Sequence, residues 1–518
     1  MSQQFLSGNM EFELRTSTSP APMKTREATP FRIAILGDFS GRANRGLCQT
    51  GPALAARRFV GVDVDNFESL PARLGTEIHV PAGDEGGPSI AIQFAELEDF
   101  HPDRIFNRLE IFRKLKLARE RLVNPSTFAE AALEVRSWTS DRPQESDASL
   151  TKPQDSPASS KESNDDAIER LLGQRPSGQG AAQAEPSVDI EALIRRVVKP
   201  YIVPAPDPRQ ADLVGQVDQA ISGQMRAILH HPDFKSAEAG WRALHLLVSR
   251  VETDETLKLY VVDVSKAELA ADMTSQQVES TGAHRLLVER SIGAQGSEPW
   301  ALLVGCFDFD QTEHDLGLLR HLGRVARAAG APFVAAASPH FAGCESVSVT
   351  PDPAEWKWQP EPAAARLWQE LRGSPEAASV GLFLPRFLLR VPYGRDTESL
   401  DSFDFEEFES APEHEKYLWG GTAFVCACLL AAAFRDAGWS LTDALQQEVG
   451  GLPMHVYKCG GETRVTPCAE TVLTDRAMQA LIDKGLCPAL SVKGRDSVRI
   501  ARFQSIAAPP APLAGRWS

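Results

Sequence analysis

The chain has 518 residues, 42% of them hydrophobic and 24% charged, with a formal net charge of −16. That length carries two or more domains with real cores, and the composition is that of an ordinary soluble globular chain. The acidic balance excludes a nucleic-acid binder, whose footprint would be a basic stripe.

The opening, MSQQFLSGNMEFELRT, has no basic stretch ahead of an apolar one, so no secretory signal is expected. The eight cysteines form no CxxC pair, which suits a reducing cytoplasm better than a disulfide scaffold. The first predicted element is a strand at Ile33–Leu36 in FRIAILGDFSGR, a continuous apolar run of the kind buried on both faces, ended by a turn at Gly37-Asp38. ARRFVGVDVDNFESLPARLG offers a short strand, then a helix start at Asp65 and one or two helical turns. In SIAIQFAELEDF the alternation puts Ile90, Ile92 and Phe94 on one side of a strand. DFHPDRIFNRLEIFRKLKLARERL reads as one helix with Ile105, Leu109 and Phe112 in a stripe and Leu115 close by.

From Trp138 to Tyr201 no aromatic residue intervenes, and the segment is rich in Pro, Ser, Gln and acid. Such a stretch buries too little apolar surface to offset its chain entropy, so a disordered linker is expected. Within it, Asp166–Leu172 (DAIERLL) is either a short docking helix or a solvated turn. Beyond it the pattern alternates again. Helices are expected at Asp189–Val198, Ala211–His230 and Asp233–Val248, and strands in TLKLYVVDVS and WALLVGCFDF. HDLGLLRHLGRVARAAG is a helix, followed by strands in APFVAAAS and SVGLFLPRFLL. The uncharged run Tyr417–Phe434 is too short and too tightly closed by Lys416 and Arg435 for a membrane span; a buried core helix is the expectation. The fold class is α/β: two α/β units with mostly buried sheets covered by helices, joined by the linker. The expected divisions are an extended arm at 1–30, α/β units at 31–138 and 189–506, a linker at 139–188 and a flexible tail at 507–518.

Several stretches invite a chemical reading. In ILHHPDF, the stripes Leu213/Val217/Ile221/Met225/Ile228 and Phe234/Ala237/Trp241/Leu244/Val248 flank the two histidines. Pro232 disfavours helix at His231, and Asp233 is placed to cap the next helix, so the motif reads as a corner between helices. Adjacent histidines on a helix end lie about 100° apart and do not converge on one ion. GDFSGRANRG follows a strand as phosphate loops do, but fits neither phosphate-loop pattern. Cys426 and Cys428 read as small hydrophobes, His455, Cys459 and Cys468 match no familiar zinc spacing, and Glu406 and Glu407 beside Phe405 and Phe408 read as an acidic solvated loop. No serine or cysteine has a nucleophile-elbow context. No catalytic residue, cofactor or metal is expected from the residues alone.

A resemblance covers most of the chain. FRIAILGDFSGR, RRFVGVDVDNFESL and FAELEDFHPDRI resemble, in order, the small subunit of the type VI secretion contractile sheath. QMRAILHHPDFKSAEAGWRALHLLV, ALLVGCFDF, APFVAAASP, GLFLPRFLLRVPYG, YLWGGTAF, GGLPMHVY and TDRAMQALIDKGLCPAL resemble the first part of the large sheath subunit. The resemblance implies two sheath subunits fused through one linker, a structural rather than enzymatic role, and a cytoplasmic location. It implies as partners other sheath subunits, inner tube or baseplate proteins, and an AAA+ unfoldase, with no nucleic acid and no membrane span. It also implies terminal arms that add a strand to a neighbour's sheet. Met10, Glu11, Phe12, Glu13, Leu14, Arg15 and Thr16 alternate suitably for this. The large subunit usually continues into a further C-terminal part that this sequence does not contain. Cys306 stands where an acidic residue is usual. These departures leave a sheath-like accessory, cap or baseplate piece as the alternative, and an α/β enzyme with a site at a strand end as a more distant one.

Overall fold

The computed structural model describes residues 29–81, 89–138, 194, 197, 210–273, 277–292, 298–441 and 448–517. The arm at Met10–Thr16, the linker at 139–188 and the segment Asp166–Leu172 lie outside the described residues. Of the expected helix Asp189–Val198, Ile194 and Val197 are described, both helical and buried.

The apolar run near the start forms β1 (Phe31–Gly37), whose seven residues are all buried. That burial follows from its place in a nine-stranded sheet. Its members include β2 (Val60–Val62), β5 (Leu257–Asp263), β6 (Leu302–Phe309), β7 (Phe333–Ala337) and β8 (Val380–Leu384). β11 (Glu448–Val449), β14 (Cys487–Ser491) and β15 (Val498–Ile500) complete it, in the order β11-β15-β14-β8-β7-β6-β1-β5-β2. β1 runs parallel to both neighbours, with Ile35 opposite Val261 on one side and Val304 on the other. The parallel block β5, β1, β6, β7, β8, β14 is edged by antiparallel β2 and β15. Three two-stranded sheets stand apart: β3 (Thr76–Pro81) with β4 (Ser89–Phe94), β9 (Phe387–Leu388) with β10 (Trp419–Gly420), and β12 (His455–Cys459) with β13 (Glu462–Thr466).

Among the described residues, the helices of seven residues or more are α1 (Pro102–Arg108), α2 (Glu110–Val123), α3 (Phe128–Ser137), α4 (Gln210–Leu229) and α5 (Pro232–Arg250). They continue with α6 (Lys266–Asp272), α7 (Glu313–Ala329), α8 (Pro362–Arg372), α9 (Ala423–Ala437) and α10 (Asp475–Asp483). Ala34 and Leu36 of β1 join one apolar cluster with Leu303, Ala335 and Leu382 of the sheet and with Leu318, Leu322 and Leu371 of α7 and α8. α9 packs on α5 and on the central strands, where Phe434 meets Phe31 at 4.8 Å between ring centroids. Both helix layers thus cover a sheet whose central strands have no solvent face.

The chain divides into two compact units. The larger contains the nine-stranded sheet and combines residues up to Val80, Ala91–Ile105 and everything from Ile228 onward. The smaller comprises Pro81–Ile90 and Phe106–Ala227. In it, α2 buries Ile111, Phe112, Leu115 and Leu122, α3 buries Ala131 and Val135, and α4 buries Leu213, Val217 and Ile221. The Gln210 side-chain amide donates to the Leu122 and Val123 carbonyls at 2.6 and 2.8 Å, closing the exposed end of α2.

The α/β class is what the sequence predicts, but of the first stretch's strands only β3 and β4 pair with each other, while β1 and β2 join the nine-stranded sheet. β1 is hydrogen-bonded on both sides by strands from beyond residue 250. Other differences are local. The helix expected through 99–122 is interrupted at Leu109, which takes an extended conformation and starts α2; the apolar period continues across the break and so hides it. The helical turns expected from Asp65 begin at Phe67. β3 is an additional strand, with Thr76, Ile78 and Val80 facing inward. The uncharged run from Tyr417 is partly strand, with the helix confined to Ala423–Ala437, and no helix among the described residues is long and apolar enough to cross a membrane. The cap of α5 is His231 rather than Asp233. Pro232 holds His231 extended, and its Nδ1 accepts the Asp233 N–H at 3.3 Å.

Candidate functional site

The most heavily constructed region is the seam where residues before 139 meet residues after 228 within the larger unit. Directly after β1, the loop Asp38–Gly46 enters it. Asp38 accepts the N–H groups of Arg42 and Ala43 at 2.5 and 2.8 Å, so the amides that a phosphate would need are already taken. Phe39 packs edge-on against Trp241 of α5, whose indole N–H donates to the Phe39 carbonyl at 3.0 Å. Ser40 donates to Asp263 at the end of β5 through both its N–H, at 3.0 Å, and its hydroxyl, at 2.7 Å. Glycine is required at 282: a Cβ there would stand 2.4 Å from the Gly51 carbonyl oxygen across the seam.

Glu268 of α6 is the centre of this seam and is fully buried. Arg42 Nε lies 3.1 and 3.0 Å from its two oxygens, and Arg57 Nη1 lies 2.9 Å from Oε2. The same carboxylate accepts the N–H of Ser265 at 3.0 Å, completing a capping box, and that of Gln49 at 2.9 Å. Burial alone would raise its pKa, but hydrogen bonds from Arg57 and Arg42 hold it at about 2.

A second buried ion cluster links α5 to the loop after β9. Arg390 Nε lies 2.8 Å from Glu238 Oε1, and its Nη1 lies 2.7 Å from Glu407 Oε2. Arg242 reaches the same Glu238 oxygen at 2.7 Å, and the Tyr393 N–H donates to Glu407 at 2.8 Å. All three central side chains are buried. Glu407 is therefore no part of a solvated acidic loop. The chain alternates at this point, leaving Glu406 outside and turning Glu407 inward to Arg390. Burial works against its charge, and Arg390 with its partners holds its pKa at about 2. Glu470, with Arg386 at 2.8 Å, is held at about 2 in the same way.

A stability consequence follows for these three carboxylates. Their folded-state pKa values lie below the roughly 4.3 of a free glutamate. Each therefore contributes stability that is complete above about pH 5 and is lost as the pH falls toward 2, up to about 3 kcal/mol per group. Urea melts are expected to show a flat optimum above pH 5 and a steep decline below pH 4. Glu268→Gln should flatten part of that acid decline, and an unchanged pH profile in that variant would contradict the assignment.

The histidine corner serves this architecture. His230 Nε2 stands 3.5 Å from Glu407 while His231 caps α5, so the two rings face different partners. Cys426 and Cys428 are buried within α9. His455 is engaged by the Tyr417 hydroxyl at 2.7 Å, and the Cys468 thiol points to the Leu452 carbonyl at 3.6 Å. Among the described residues no group of three His, Cys, Asp or Glu side chains is placed to hold a metal ion.

β5 and β6 are successive parallel strands on opposite sides of β1, so a crevice opens at the carboxyl ends of these strands. It is a cleft of about 880 Å³ whose walls include Asp38, Lys235, Lys266, Cys306, Asp308 and Trp419. Burial pushes the Cys306 thiol up to about 12, the opposite of an activated nucleophile. No serine, threonine or cysteine among the described cleft residues hydrogen-bonds a histidine. The geometry supports binding here but contains no nucleophile–base pair.

Sequence reasoning missed most of the seam. The Ser265–Glu268 capping box was the one local signal, since S-x-x-E ahead of an apolar turn is readable. Arg42, Arg57 and Arg390 carry no such mark.

Fold and seam together define an interleaved structural α/β module, in which the two ends of the sequence share one core. Residues 211–507 match the family model for VipB (EvpB), the tail sheath N-terminal domain, and residues 12–136 match that for VipA of the type VI secretion system. The chain belongs to the tail sheath family, with a small-subunit and a large-subunit stretch in one polypeptide. It is 33% identical over 308 residues to the type VI secretion system sheath protein TssC1 of Pseudomonas aeruginosa, covering 57% of this chain and 61% of that protein. It is 28% identical over 103 residues to the sheath protein TssB1 of the same organism, covering 19% of this chain and 58% of that protein. The chain thus spans about three fifths of the length of each of these relatives.

Proposed function

We propose that this chain is a structural component of a type VI secretion sheath or a sheath-like accessory to it, working in the cytoplasm by assembly rather than by catalysis. One observation carries the reading most: β1, from the stretch matching the small-subunit family, is an inner strand of a sheet otherwise built mainly by the large-subunit stretch. Strands so interleaved fix the two subunit types at a one-to-one ratio and in one orientation, which is what a repeating unit of a tube requires. Other sheath subunits are the first partners of this reading, with inner tube or baseplate proteins and an AAA+ unfoldase as further ones.

In the same reading Met10–Thr16 is the arm that extends a neighbour's sheet, gaining main-chain hydrogen bonds that an isolated strand lacks. Negative-stain microscopy of the purified protein, alone and co-expressed with complete sheath subunits, is the test. Rings, tubes or stable hetero-complexes are expected, and deletion of residues 1–20 should abolish them while leaving the melting curve nearly unchanged. Monodisperse single particles under both conditions would overturn the sheath reading, and normal association after the deletion would remove the arm from it.

A further inference from the structure

The cleft beside β1 contains two charges that make no direct ion pair with the described residues, although Arg386 and Lys266 act on one and Glu415 and Glu407 on the other from further off. Several of its other charged groups have partners within the fold. Lys266 Nζ lies 2.6 Å from Asp315, Arg386 is engaged by Glu470, and Asp38 accepts two backbone N–H groups. Asp308, near the end of β6, is different. Only its backbone carbonyl is used, by Lys266 at 2.7 Å, and its carboxylate accepts no hydrogen bond from the described residues. Lys235 of α5 gives one hydrogen bond, to the Glu415 carbonyl, and meets no carboxylate among the described residues.

Both charges are disfavoured as they stand. Enclosure raises the pKa of Asp308, which still reaches solvent through the cleft, and burial lowers that of Lys235. Each also feels the field of Arg386, which is itself engaged by Glu470. Ala239, Gly240 and Gly305 are among the lining residues, and Trp419 and Phe424 offer apolar walls. The volume of about 880 Å³ is at the upper end of ordinary ligand sites.

We propose that this cleft receives an extended peptide segment of a partner protein, which sets a lysine or arginine against Asp308 and a glutamate or aspartate against Lys235. An acidic and a basic side chain lining one cleft fix the direction of the segment as well as its sequence, and water exclusion by the aromatic walls strengthens both contacts.

The probe is a set of acetylated, amidated hexapeptides. Each carries one arginine and one glutamate in either order, spaced by one to four alanine or leucine residues, and binding is followed by Trp419 fluorescence and calorimetry. At least one spacing should bind saturably, and at least tenfold tighter than its counterparts with glutamine in place of the arginine or of the glutamate. Asp308→Asn should bind the arginine and glutamine forms alike, and Lys235→Gln should do the same for the glutamate position. Should either variant melt early, Asp308→Ser and Lys235→Met make the same comparison. No saturation by any peptide at millimolar concentration would overturn the proposal. So would free arginine or glutamate binding as tightly as the peptides, or a charge preference that survives both substitutions.

Discussion

Ile35→Asp is expected to unfold the larger unit as a whole, not merely its first hundred residues. Ile35 is completely buried at the centre of β1, between Val261 and Val304. An aspartate there has no partner on either side, and a carboxylate without one costs several kcal/mol to bury. A domain's total stability is about 5–15 kcal/mol, so the change consumes most of it. Ile35→Val removes one methylene and should cost only about 1 kcal/mol. Thermal melts read at Trp300, which packs under the Arg32 guanidinium at 4.1 Å, report on the β6 side of the seam. That signal should be lost together with the β1 side. A melt in which residues beyond 228 unfold at the wild-type temperature would show two independent units.

The second large effect is at Arg390. Arg390→Ala should lower stability by about 3–5 kcal/mol, because it leaves Glu238 and Glu407 buried near one another without their shared cation. The loss should depend on pH with a definite sign. With the guanidinium gone, the Glu407 carboxylate is free to rise in pKa, so the variant's deficit should shrink below about pH 5, where it takes up a proton. Adding Glu407→Gln to Arg390→Ala should recover part of the loss, since one of the two facing charges is then absent. A deficit under about 1 kcal/mol at pH 7, or one that is the same at pH 7 and pH 4.5, would mean that the cluster contributes little.

These two sites show how far the sequence could be read. The burial of β1 on both faces was legible, because FRIAILG is apolar without alternation. Which strands would flank it was not, since they lie over 200 residues away and their apolar runs look the same as those of any other central strand. The stripes of α4 and α5 were legible from their period, and so was the corner between them. The Leu109 break was not, because an interruption of one residue leaves the stripe in phase. Glu407 was misread because its sequence neighbours are acidic, and its partners Arg390 and His230 lie 17 and 177 positions away. Buried ion pairs are satisfied by tertiary contact, and neither composition nor spacing marks them. β3 could have been found, since TEIHVP alternates cleanly. The cleft follows from strand order alone, which no local pattern specifies.

The central claim is that the small-subunit and large-subunit stretches form one folding unit rather than two tethered ones. A protease site introduced at Ser160, cut to completion under native conditions, tests it most directly. The interleaving of β1 between β5 and β6, with Arg42 and Arg57 on Glu268, predicts that both fragments elute as one particle of the uncut size. They should separate only in denaturant, and only at the concentration that unfolds the sheet. Two fragments that part on a sizing column at neutral pH without denaturant, each keeping its helical signal, would contradict the account.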